Sequence, residues 1–334
     1  MICLQSQTMK TMLLIMVALL LPAVASADPF SPQRCVNMGN ALDAPNEGEW
    51  GHTIDLKSFA EIRSAGFDTV RIPVRWSAHI DPRANNKIDA VFLARVDQVV
   101  GAALAADLSV VLNVHHFERL MERPRAHMGA FLDIWAQLAP HYQALSPRVS
   151  FEVINEPNGE MRGDIMRRLQ LVALQVIRAT NPTRTIILGG EDWSNVTTLG
   201  TNLATKDPNI VYTFHYYDPF DFTHQKAPWA GPNGPKKRRG WGSNEDRETL
   251  KEHMATARAF SQATGRPIFL GEFGAYERAP EPDRLAYIEA VRREAEAAGI
   301  GWCIWNYTGS FPIYDTRQKQ WTPGHLEALG LSAR

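Results

Sequence analysis

Eight short apolar or β-branched runs recur along this chain, each followed by a longer and more polar stretch. The runs are 34–38, 69–74, 109–115, 150–155, 185–189, 210–216, 267–272 and 301–306. Between them, Val91 to Leu104, Ile165 to Ile177 and Leu285 to Ala297 place apolar residues at helical spacing. Gly66, Gly265 and Gly299 sit where such helices would stop. Eight strand–helix units in one chain therefore predict an α/β fold, a (β/α)8 TIM barrel in a single domain.

With 334 residues, 45% of them hydrophobic, the chain can bury a large core. Its formal net charge of -1 points to neither nucleic acid nor an anionic membrane surface. The longest basic run, Lys236 to Arg239, lies in a Gly/Pro-rich segment and reads as a solvated loop. That segment, 218–242, is the one long irregular stretch, and loops of such length are commonly functional. At the N-terminus, Lys10, the apolar run Thr11 to Leu21 and the small residues Ala25-Ser26-Ala27 have the layout of a secretory leader. The expectation is cleavage before Asp28, a catalytic domain over 28–334, and a periplasmic or extracellular destination. The mature chain is expected to be monomeric and free of the membrane.

In a barrel, the C-terminal ends of the strands converge on one face. Here those ends carry Asn40 and Asp43, Arg71, His115-His116, Asn155-Glu156-Pro157, Trp193, His215-Tyr216-Tyr217, Glu272 and Trp305-Asn306. Glu156 and Glu272 end the fourth and seventh strands and would face each other across the mouth. Glycoside hydrolysis needs such a pair, one carboxyl holding a proton and the other ionised. Arg71 could keep one of them charged.

Two other glutamates lie close to Glu156. Glu152 is four residues deeper, about 13 Å down the strand, and reads as an interior contact. Glu160 follows Pro157 and is expected to open the next helix.

Metal ligation by His115, His116 and His215 is the rival reading. Adjacent histidines on a strand point to opposite faces, and no His-x-His or His-Glu-x-x-His occurs, so no metal or other cofactor is expected. Trp193, Trp229 and Trp305 lie in or beside the strand-end loops, where a flat apolar face suits a sugar ring. Trp241 is the weakest candidate of this kind.

The segments VRIPVRW, VVLNVHHFE, FEVINEPNG, TFHYYDPFDFTHQ and PIFLGEFGAY, with NMGNALDAPNEGEWG before them and Trp305 after, occur in order. This set resembles glycoside hydrolase family 5, the cellulase family, over almost the whole mature chain. The resemblance implies a retaining endo-β-1,4-glucanase acting on soluble or amorphous β-glucan. It makes Glu156 the acid/base and Glu272 the nucleophile, with Arg71 and Tyr217 on Glu272 and His215 beside Glu156. It puts Asn155 on the sugar 2-hydroxyl, His115 and His116 at the glycone site, and Trp305 beneath it. Asn40, Asp43 and Trp229 become further sugar contacts. Many relatives have Glu at the position of Asp43 and an acidic residue at that of Asn306, so mannan stays open as a substrate. A metal-dependent barrel hydrolase and a non-catalytic carbohydrate-binding barrel are the alternatives from other classes. No carbohydrate-binding module is evident, which argues against crystalline cellulose.

Cys3 belongs to the leader, leaving Cys35 on the first strand and Cys303 on the eighth. Cys303 shares the parity of Trp305 and should point inward. Buried thiols act as small hydrophobes and adjacent barrel strands are seldom cross-linked, so two free thiols are expected.

Overall fold

A computed structural model describes residues 34–332, so the leader expected over residues 1–27 lies outside the described residues. Eight strands form a closed barrel: β1 (Arg34–Asn37), β2 (Thr69–Ile72), β3 (Ser109–Asn113), β4 (Val149–Glu152), β5 (Ile186–Gly189), β6 (Ile210–Tyr216), β7 (Ile268–Phe273) and β8 (Gly301–Ile304). Each strand pairs in parallel with its neighbours in sequence, and β1 closes on β8. The single-domain α/β barrel is thus as expected, with strand ends that differ from the expected ones by up to three residues.

Both faces of the strands are apolar because both are covered. Outward residues such as Val36, Val70, Leu112, Phe151, Leu188 and Leu270 belong to one large core shared with the helices. Inward, Cys35, Val111, Ile187, Val211, Phe269 and Cys303 form a separate apolar plug across the lower barrel. The polar site is built above this plug, on inward positions nearer the C-terminal ends.

The main outer helices are α1 (Ser58–Ser64), α2 (Ala90–Ala105), α3 (Pro124–His141), α4 (Gly163–Arg178), α5 (Asn244–Thr264) and α6 (Glu281–Ala297). Their ends follow local chemistry. Asp89 caps α2 by accepting from the Phe92 N–H at 2.8 Å. Ser243 and Asp246 form a reciprocal capping box on α5, which stops at Gly265 with φ of 63°. The fifth unit departs from the simple alternation. After β5 the chain makes only the short helices Glu191–Ser194 and Val196–Thr201 before returning to β6. Glu160 also departs from expectation: it lies before α4, and the acidic residue in that helix's first turn is Asp164.

The cysteine expectation is overturned. Cys35 and Cys303 are joined as a disulfide. They are register partners on β1 and β8 and both face the inner plug, so the two sulfurs meet where the barrel closes. Adjacency on one face outweighed the general rarity of cross-links between neighbouring barrel strands.

Candidate active site

Arg71, fully buried on β2, organises the centre of the mouth. Its Nε and Nη2 donate to the two oxygens of Glu152 at 2.6 and 2.8 Å, a bidentate pair. Nη1 donates to Glu272 Oε1 at 2.7 Å and to Asn37 Oδ1 at 2.8 Å. Nη2 also reaches Asn155 Oδ1 at 2.6 Å. Glu152 is therefore the interior contact expected of it, one layer below the rim. Asn37 ties this cluster to the backbone: its amide donates to the carbonyls of Gly271 and Ile304 at 3.0 and 3.2 Å.

Glu272 reaches the centre through an irregularity in β7. Phe214 pairs with Leu270, but His215 pairs with Glu272, so Gly271 is an extra residue in β7. Such a bulge re-aims a side chain. Gly271 itself must lack a side chain, because a Cβ there would sit 2.7 Å from Thr213 Oγ1 and 3.0 Å from His215 Nε2. The second oxygen of Glu272 accepts from the Tyr217 hydroxyl at 2.9 Å.

Glu156 lies across the mouth, just past the end of β4, with a φ of 45° that a non-glycine residue adopts only when its surroundings hold it there. Its Oε1 is 2.8 Å from His215 Nδ1, and His215 also lies 3.6 Å from Glu272 Oε2. One carboxylate oxygen from each glutamate and a ring nitrogen of His215 all fall within 4.8 Å of one another.

Burial raises the Glu156 carboxyl to about 7, and Arg71 opposes the rise only partly. Burial also raises Glu272, against the pull of His215 and Arg71. His215 is held below its ordinary value by burial, which favours the neutral imidazole. Burial and its carboxylate neighbours push the Tyr217 hydroxyl well up, so it stays a donor.

Beside this pair, Asn155 Nδ2 is 3.4 Å from His115 Nε2, and the rings of His115 and His116 meet edge-on at 4.6 Å. Burial holds His115 well below the usual histidine range and His116 at about 4. Trp305 stacks parallel to His115 with centroids 5.7 Å apart. Gly39 allows that placement, since a Cβ on it would lie 2.5 Å from Trp305 Cη2. Asn306 donates to Asn40 Oδ1 at 2.7 Å. Asp43 is almost fully buried, accepts from the Asn40 and Ala41 N–H groups, and is raised by burial to about 6.

The rim is aromatic. Trp193 is 56% exposed, and its backbone N–H donates to the Pro157 carbonyl beside Glu156. Trp229 is 51% exposed and packs edge-on against Tyr276 at 4.7 Å. Trp241 instead is buried against Tyr287 and Arg247, a packing residue. Sequence reasoning passed over Trp50, which is exposed in the loop after β1 with its ring edge-on to His116. It also passed over Tyr276, Phe311 and Asn37. A Trp directly after the polar run Asn46-Glu47-Gly48-Glu49 was the available signal for Trp50.

Paired carboxyls at a barrel mouth, one raised by burial to about 7 and one bonded to Arg71 and Tyr217, flanked by exposed aromatic faces, are the equipment of a glycoside-cleaving barrel. Residues 35–310 match the cellulase family, glycosyl hydrolase family 5, and the chain belongs to it. Endoglucanase H of Acetivibrio thermocellus is 33% identical over 285 residues, covering 84% of this chain and 30% of that one. Cellulase/esterase CelE of the same organism is 29% identical and 35% covered, so this chain spans about a third of the length of both relatives. Among solved structures, a hyperthermophilic endo-β-1,4-glucanase in complex with substrate is 39% identical. Its TM-score is 0.87, with 90% of this chain and 97% of that one covered. Thermotoga maritima Cel5A, solved with cellobiose and with mannotriose, is 40% identical at a TM-score of 0.87, with 89% and 97% covered.

Proposed function

We propose that this chain is a secreted endo-β-1,4-glucanase that cleaves β-glucan by double displacement with retention. The observation that carries the reading is the close approach of Glu156 and Glu272 around His215, within 4.8 Å. Two carboxyls about 5–5.5 Å apart leave no room for a water between carboxylate and sugar, so the carboxylate itself attacks.

Glu272, held by Arg71 and Tyr217, forms a bond to the anomeric carbon as the glycosidic C–O bond breaks. Glu156 gives its proton to the departing oxygen. A water then attacks the same carbon, loses its proton to Glu156, and releases Glu272. His215 bridges the two carboxyls, and its burial favours the neutral imidazole. Asn155, fixed by Arg71 and beside His115, is placed to bond the 2-hydroxyl. Trp305, His115 and His116 form the sugar platform, Asn40 and Asp43 shape its edge, and Trp193 and Trp229 offer outer faces. The leader-like segment and the Cys35–Cys303 bond both suit an oxidising compartment outside the cytosol.

Proton NMR of the first product should show the β-anomer, and Glu272→Gln should lower kcat by several orders of magnitude with the fold intact. An α-anomer first product, or wild-type turnover in that variant, would sink the mechanism. Mannan is the second substrate to assay, because a structural neighbour at 40% identity is solved with mannotriose.

A further inference from the structure

The loop after β6 carries a charge that the mechanism does not use. From Lys226 to Arg239 it holds three lysines and two arginines, five cations in all, and no carboxylate, in a chain of formal charge -1. Two staples shape it. The Lys226 N–H donates to the Pro235 carbonyl, and the Gln225 side chain bonds both backbone groups of Arg239 at 2.9 and 3.2 Å. Trp229 lies in the same loop, between Lys226 and Lys236 in sequence.

The loop also borders a hollow of about 430 Å³ lined by Asp221, Gly234, Lys236, Lys237 and Arg239. Arg239 pairs with Asp221 at 3.3 Å and Asp246 at 2.8 Å, yet its buried Nη1 has no hydrogen-bond partner. Lys236, Lys237 and Arg238 are exposed and pair with no carboxylate among the described residues. A line of rings connects this hollow to the reacting centre. Tyr217, bonded to Glu272, meets His224 at 5.0 Å, and His224 stacks on exposed Phe220 at 4.2 Å, next to Asp221.

We propose that this loop is a binding site for acidic substituents, carboxylate or phosphate, on the polysaccharide being cleaved. The inference rests on the β-glucanase reading and deepens it. Sugar rings stack on the exposed faces of Trp229 and Phe220 while the anionic groups they carry meet the exposed cations Lys236, Lys237 and Arg238. An uncharged β-glucan gains the first contact and not the second.

The test is affinity electrophoresis in native gels with the inactive Glu272→Gln protein, alone and with K236Q/K237Q/R238Q added. Mobilities are normalised to polymer-free gels. Carboxymethylcellulose should retard the parent several-fold more than hydroxyethylcellulose does, and the triple variant should lose that difference. The preference should also fade as salt rises from about 0.02 to about 0.5 M, which shortens the Debye length from roughly 20 to roughly 4 Å. In the active protein, the triple substitution should raise KM on carboxymethylcellulose and leave hydroxyethylcellulose turnover unchanged. Equal retardation by the two polymers, or an unchanged preference in the triple variant, overturns the proposal. So does equal retardation by polyacrylate, which carries charge without sugar. Failure of the active protein to cut any β-1,4-glucan would overturn the glucanase reading alone, since the electrophoresis does not depend on turnover.

Discussion

Arg71 brings one positive charge to a site where three glutamates crowd together. Glu152 and Glu272 take its direct bonds, and Glu156 is left with a histidine. Burial raises both Glu156 and Glu272, and Glu272 alone of the two has direct Arg71 bonds that oppose the rise. Activity should follow a bell-shaped pH profile. Its alkaline limb falls near pH 7, where Glu156 loses its proton, and its acid limb is shifted upward from the ordinary glutamate value because burial raises Glu272. An alkaline limb above about pH 9 in kcat/KM would remove Glu156 from the acid role. The same shift affects stability. The folded-state value of Glu156, about 7, lies above its ordinary 4.5, so its stabilising contribution is complete below 4.5 and is lost as pH rises through 7. Glu156→Gln should therefore raise stability by about 1–3 kcal/mol at about pH 8 and by nothing near pH 4. Equal melting temperatures at the higher pH would contradict it. Arg71, Glu156 and Glu272 were legible because strand-end position alone singles them out. Asn37 was not, since its importance lies in carbonyls more than two hundred residues away.

The strands were legible because burial on both faces leaves continuous apolar runs, as in Ile186–Gly189, where every residue is buried. The bulge in β7 was invisible, because an extra residue shows only against the register of its neighbours β6 and β8. Its consequence is local: it turns Glu272 inward directly after Gly271. Gly271→Ala places a methyl against Thr213 and His215, so it should displace both His215 and the β7 backbone. The expected result is a loss of kcat of about 10-fold or more with a smaller change in KM. Wild-type kcat in a folded Gly271→Ala protein would show that the bulge does not set the position of Glu272. The fifth unit was misjudged for a related reason. Tertiary contacts of 196–201 with β6 and α5, rather than helical periodicity, fill the space outside β5.

For the whole molecule, the decisive bond is the one sequence reasoning discounted. Cys35 and Cys303 are 268 residues apart, and closing a loop of that length restricts the unfolded chain by about 5–6 kcal/mol on the chain-entropy relation. Cys35→Ala with Cys303→Ala, or reduction under denaturing conditions, should lower the melting temperature by several degrees. An unchanged melting temperature would mean that the bond adds nothing to stability. The inward parity of Cys303 was readable, whereas the side-by-side register of the two strands was not. The bond also makes the chain from 35 to 303 a covalent ring threaded through every strand of the barrel. A protease that cuts once in any surface loop of that ring, including the exposed basic loop at 226–239, opens the ring without dividing the molecule.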